Sequence, residues 1–162
     1  MSPRAAWRLE SLGFTDVYDF AAGKAAWLAA GLPIEGSDAT IPHVGEHAQR
    51  DVPTCQLDEP LHTVRERVRA AGWDTCIVVN QHRIVLGRLG RIALASDDDQ
   101  TIERAMSAGA STIRPDAPLT TTVERLRAKN LTGALVTTLE GELIGVLRLE
   151  DAAGLHELLA TS

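Results

Sequence analysis

Apolar residues recur at helical spacing in two separate stretches: Leu61, Val64, Val68 and Ala71, then Leu119, Val123 and Leu126. That spacing predicts an amphipathic helix with one buried stripe. Asp-x-Pro precedes each stripe, as Asp58–Pro60 and Asp116–Pro118. Proline is tolerated in a first helical turn because the N–H it lacks would have no intrahelical partner there. Arg65, Glu66, Arg67 and Arg69 then fall mostly on the solvated face. Two runs of strand character follow each helix: Thr75–Asn80 with Ile84–Gly87, and Ala134–Thr138 with Leu143–Leu147. Glu140-Gly141 between the last two is a hairpin signal. With short strands near Thr54 and Thr112, and closing helices over Ile92–Ala95 and Leu149–Leu159, the order is β-α-β-β-α, twice.

The two units are copies. Shifting the sequence by 58 positions aligns Thr54–Ala95 with Thr112–Ala153 without a gap, and 13 of the 42 positions are identical. Unrelated sequences of ordinary composition would share about two or three. The matches include the Asp and Pro before each helix and Gly87/Gly145 in the last strand. Mismatches such as Val68/Leu126, Ile77/Leu135 and Leu86/Ile144 stay apolar. One copy is too small to bury its own sheet, so the pair is the expected folding unit.

Ahead of the repeats, local signals predict a helix over Pro3–Leu12 closed by Gly13, a strand over Asp16–Asp19, and a helix over Lys24–Ala30 before Gly31. Pro33–Pro53 is rich in Gly, Pro, Ser, Asp and His and reads as a linker draped over one surface. The expected division is 1–36, a linker at 37–51, a first repeat at 52–105 and a second at 106–162. Composition sharpens this boundary. Five of the six aromatic residues lie within the first 27 positions, and Trp73 is the sixth. The chain also carries 14 Arg against 2 Lys.

Charge and apolar-run length exclude several classes. A net charge of −6 argues against coating nucleic acid, which needs clustered positive charge. No apolar run approaches the roughly 18–20 residues of a membrane span. The opening MSPRAAWRLE carries charge where a signal peptide would be apolar. Cys55 and Cys76 are isolated thiols, too few and too far apart in sequence for a metal knuckle or a disulfide scaffold. A cytoplasmic protein with reduced cysteines is expected.

The repeats DEPLHTVRERVRAAGWDTCIVVNQHRIVLGRL and DAPLTTTVERLRAKNLTGALVTTLEGELIGVLRLEDA, joined by TIERAMSAGASTIRPDAPL, resemble the two halves of a CBS-domain pair, or Bateman module. The resemblance covers about residues 52–160. It implies an α/β (α+β) fold of two repeats about a pseudo-twofold axis, assembled as a homodimer. It also implies a regulatory ligand, AMP, ADP, ATP or S-adenosylmethionine, in a cleft between the repeats. The family's site pattern, Gly-h-h-[Ser/Thr]-x-x-Asp, reads Gly145-Val146-Leu147-Arg148-Leu149-Glu150-Asp151 in the second repeat. By resemblance Asp151 anchors the ribose, and Arg148, in place of the hydroxyl residue, can offer phosphate a bidentate donor. The first repeat reads Gly87-Arg88-Leu89-Gly90-Arg91-Ile92-Ala93 and lacks the acid, so one site at most is expected. The opposite wall falls to Val52, Pro53, Trp73, Asp74 and Thr75, with the Trp73 indole suited to stack on adenine. Asp151 can equally cap its helix, and Trp73 can equally plug the core.

RAAWRLESLGFTDVYDFAAGKAAWLAAGLPIEG is similar to the C-terminal end of a rhodanese-like domain. Sulfur transfer needs a nucleophilic Cys in a loop ahead of the first of these helices, and neither Cys55 nor Cys76 stands there. His43-Val44-Gly45-Glu46-His47 matches the inverted zinc-protease pattern H-x-x-E-H, but Pro42 and Gly45 disfavour the helix that pattern needs. Asp97-Asp98-Asp99 is expected to precede and cap a helix over Thr101–Met106. Without a nucleophile–base pair, metal cluster or phosphate loop, the expectation is a non-enzymatic sensor with no resident cofactor or metal. The alternative is a ligand-free interaction and dimerisation module whose clefts serve only packing.

Overall fold

The computed structural model describes residues 3–18, 21–36, 40–96 and 100–152. Ahead of the repeats lie α1 (Pro3–Ser11), α2 (Gly23–Ala29) and a short helical turn, α3 (Val44–His47). The first repeat runs β1 (Thr54–Cys55), α4 (Leu61–Ala70), β2 (Cys76–Val79), β3 (Val85–Leu89) and α5 (Arg91–Ala95). It continues through α6 (Ile102–Ala105) and β4 (Ser107–Ala108) into the second, β5 (Thr112–Ile113), α7 (Leu119–Ala128), β6 (Gly133–Thr137) and β7 (Leu143–Arg148). Residues 149–152 begin a helix, while the rest of the helix expected to Leu159 and the Asp97–Asp99 run lie outside the described residues.

The 58-residue shift maps the structure onto itself. Both α4 and α7 start directly after their prolines. In the first sheet β1 runs parallel to β2, pairing Thr54 with Ile77 and Cys55 with Val78. In the second, β5 pairs Thr112 with Leu135 and Ile113 with Val136. Each antiparallel hairpin carries its irregularity at the same place, Val78/Val79 and Val136/Thr137. The hairpin tips meet through an antiparallel bridge of Ile84 with Glu142, themselves related by the shift. Its flanking bonds, Val85 N–H to Gly141 and Leu143 N–H to Arg83, obey the same relation, so the pseudo-twofold axis passes between the tips.

Every residue of β2 is buried, because both faces of its sheet are covered. Cys76 and Val78 join Leu61, Val64 and Val68 of α4 in one core. Ile77 and Val79 face the other sheet, where Val52, Leu135, Leu143 and Val146 complete a core between the repeats. Val44, Leu119, Val123, Leu126, Val136 and Leu147 form the matching core of the second repeat.

The stretch expected as a linker over 37–51 is partly built into the fold. Val44 is fully buried against the second repeat, and Gln49 forms an antiparallel bridge with Val146 of β7. These are the counterparts, 58 residues earlier, of α6 and of the β4–β3 pairing of Ser107 with Arg88. A helical turn thus forms despite Pro42 and Gly45. Gly45 is seated against Pro115, with its N–H bonded to the Pro115 carbonyl at 2.9 Å.

The N-terminal segment differs from expectation. No strand forms over Asp16–Tyr18, and Trp7, Phe14 and Tyr18 are exposed. The segment is attached through α2, which packs against α3 and buries Leu28, and Arg50 donates to the Ala29 carbonyl at 2.7 Å.

Cys55 and Cys76, distant in sequence, meet on one face of the first sheet as two buried free thiols in the same core. Their mutual contact shifts the two in opposite directions: it lowers the Cys55 thiol and, together with burial, pushes the Cys76 thiol up. Both thiols are buried, so neither should react with iodoacetamide in the native protein, and both should react in denaturant, where the reagent reaches them. Fast labelling of a native thiol would contradict this packing.

Candidate functional site

A cavity of about 470 Å³ opens between the repeats. Four of its lining pairs are related by the 58-residue shift: Asp74 and Thr132, Thr75 and Gly133, Arg88 and Val146, Arg91 and Leu149. It therefore straddles the pseudo-twofold axis rather than belonging to one repeat. Each wall arises the same way in both copies: the chain leaves the first helix of the repeat, turns, and enters the sheet. The other lining comes from the last strand as it passes into the final helix.

Of the residues expected at the site, Trp73, Asp74, Thr75, Val146 and Arg148 come together in this cavity. Val52 and Pro53 do not line it. Both are buried, and Val52 sits in the core between the sheets, where Trp73 also packs. Asp151 does not line it either. Its exposed carboxylate accepts a 2.6 Å hydrogen bond from Gln49 Nε2, across 102 positions of sequence.

The charged groups are arranged in pairs. The Arg148 guanidinium lies 5.3 Å from the centroid of the Trp73 ring, a cation–π stack, and ion-pairs with Glu150. Asp74 accepts a 2.8 Å hydrogen bond from Arg91, and that guanidinium holds its carboxyl below the usual carboxylate range. Asp74 is therefore not a bare negative charge facing an anionic ligand. Thr75 Oγ1 donates to the Leu89 carbonyl at 3.1 Å, tying the entry to β2 onto the end of β3.

Sequence reasoning did not place Arg88, Arg91, Arg127, Thr132, Gly133, Leu149 or Glu150 in the site. Thr132 and Gly133 had a signal, since shifting Asp74-Thr75 by 58 lands on them. The H-x-x-E-H residues lie elsewhere. His43 is buried, with Nδ1 3.5 Å from Glu46 Oε1, and His47 Nε2 is 4.0 Å from Glu46 Oε2. Among the described residues no group of three or more His, Cys, Asp or Glu side chains is arranged to hold a metal ion. No helix among them is long and apolar enough to cross a membrane.

Residues 99–155 match the family model of the CBS domain. The CBS-domain pair of protein MJ0100, solved with 5′-methylthioadenosine and S-adenosyl-L-methionine, superposes with a TM-score of 0.64 at 17% identity, covering 74% of this chain and 98% of that one. CBSX2 in complex with AMP gives a TM-score of 0.64 at 12% identity, covering 73% and 98%. The cytosolic domain of the Mg²⁺ channel MgtE with ATP gives 0.64 at 17%, covering 72% of this chain and half of that one. None of the curated proteins compared matches the chain. The chain thus has the fold of a CBS-domain pair. The rhodanese-like resemblance of residues 1–36 finds no support in these comparisons.

Proposed function

We propose that the chain is a non-enzymatic regulatory module that binds an adenosyl ligand in the cleft between its repeats. One observation carries this reading. The cleft is lined from both repeats, has a volume within the range of about 300–1,000 Å³ typical of small-molecule sites, and combines an aromatic face with guanidinium donors. Solved structures of the same fold hold S-adenosylmethionine, ATP and AMP. Val52 serves the cleft from behind, in the core against which the lining Trp73 packs. Asp151 stands one residue beyond the lining Glu150; Gln49 engages its Oδ2, and among the described residues its Oδ1 is left for a ribose hydroxyl.

A thermal-shift titration with AMP, ADP, ATP and S-adenosylmethionine tests this. A ligand at ten times its Kd adds about 1.4 kcal/mol to stability, so millimolar concentrations are required. At least one of the four should raise Tm, and Arg148→Ala and Asp151→Ala should each diminish the shift. No shift with any of them in the wild type would favour the ligand-free interaction module instead. A homodimer through the repeats belongs to the same proposal, and sedimentation at micromolar concentration tests it.

A further inference from the structure

Resting on the adenosyl reading, we infer that the cleft selects its ligand by phosphate charge: it takes nucleoside di- and triphosphates and rejects S-adenosylmethionine and uncharged adenosyl compounds. The observation is a local inversion of charge. In a chain of net charge −6, four guanidiniums, Arg88, Arg91, Arg127 and Arg148, line this one cavity against two carboxylates, Asp74 and Glu150. Both carboxylates are already taken, Asp74 by Arg91 and Glu150 by Arg148. Among the described residues Arg88 and Arg127 have no acidic partner within 4.0 Å, and both are exposed to the cleft.

These two cations come from opposite sides. Arg88 projects from β3 of the first repeat and Arg127 from the last turn of α7 in the second. A ligand placed across the axis can be gripped by both. Three of the four charges are not copied by the repeat, because Arg88 corresponds to Val146, Arg91 to Leu149 and Arg148 to Gly90, while Arg127 matches Arg69. An AMP monophosphate can satisfy one of these donors, and each further phosphate adds charge-assisted bonds to the next. A sulfonium cation would meet net positive charge instead.

Isothermal titration of the full chain with AMP, ADP, ATP, S-adenosylmethionine, GTP and inorganic tripolyphosphate tests the inference, at low and at physiological ionic strength. The expected result is a ladder of about tenfold in Kd per added phosphate, weakening with salt, and no binding of S-adenosylmethionine. Arg88→Gln and Arg127→Gln, both at exposed positions, should each cost ATP about tenfold while changing AMP less than twofold. AMP and ATP binding within twofold of each other, or S-adenosylmethionine binding as tightly as ATP, would overturn the selectivity and leave the adenosyl reading standing. Tripolyphosphate and GTP binding as tightly as ATP would uphold the charge selection and overturn the adenosyl reading. No binding by any of the six would overturn both.

Discussion

Replacing Gly145 by alanine is expected to destabilise the protein by about 3 kcal/mol or more. A Cβ at this position would stand 2.3 Å from the Gln49 carbonyl oxygen and 2.9 Å from its carbon. Both are backbone atoms and cannot swing aside as a side-chain tip can. The segment carrying Gln49 is held to β7 by two hydrogen bonds of 2.9 Å, exchanged between Gln49 and Val146. Forcing a methyl group between them costs about 1–3 kcal/mol in overpacking, and loss of the pair adds about 1 kcal/mol per bond. Gly87 is the pseudo-symmetric control. Its Cβ would meet Met106 Sδ and the Ser107 carbonyl oxygen, each at 2.8 Å, a looser approach in which the methionine can move. Gly87→Ala should therefore cost less than Gly145→Ala. Urea unfolding measures both. Hydrogen exchange should locate the damage, with the Gln49 and Val146 amides exchanging faster and Ile77 unchanged. Equal midpoints for Gly145→Ala and wild type would mean that the 43–50 segment slides off β7 without cost.

The same contact shows where sequence reading succeeds and where it stops. Gly87 and Gly145 were visible as a repeated pair, as were the prolines opening α4 and α7 and the apolar positions under them, because each is a constraint on residue type. The extension of the repeat back to His43 was invisible. Residues 43–50, HVGEHAQR, share no identity with 101–108, TIERAMSA, yet form the same helical turn and the same strand pairing. Main-chain hydrogen bonds make that pairing, and any residue but proline supplies them. Of the eight pairs only Val44 and its counterpart Ile102 are buried in both copies. The site divides likewise. Trp73, Asp74 and Thr75 stood out locally, while Arg127 had the appearance of any solvated helix residue until the second repeat was folded against the first. Asp151 was legible as a motif position, but its bond to Gln49 depends on the segment whose structure the sequence conceals.

Replacing Trp73 by alanine should be the most damaging single change at the cleft, because the indole serves stability and binding together. It packs against the first-repeat core and against the core between the sheets, and its face carries the Arg148 guanidinium. Truncating a buried Trp to Ala costs about 3–5 kcal/mol. Trp73 is half-buried, so the lower end, about 3 kcal/mol, is expected. For a chain of this length that corresponds to a fall in Tm of roughly 6–12 °C. The binding loss should be separable from the stability loss through Trp73→Leu, which restores apolar volume to both cores but offers no π face. Leucine should recover most of the denaturation midpoint and little of the ligand-induced shift, because without the ring Arg148 is held only by Glu150. If leucine restored the ligand-induced shift as fully as the midpoint, Trp73 would be a core plug and the cation–π stack irrelevant to binding. If it restored neither, the shape of the indole would be what both cores require.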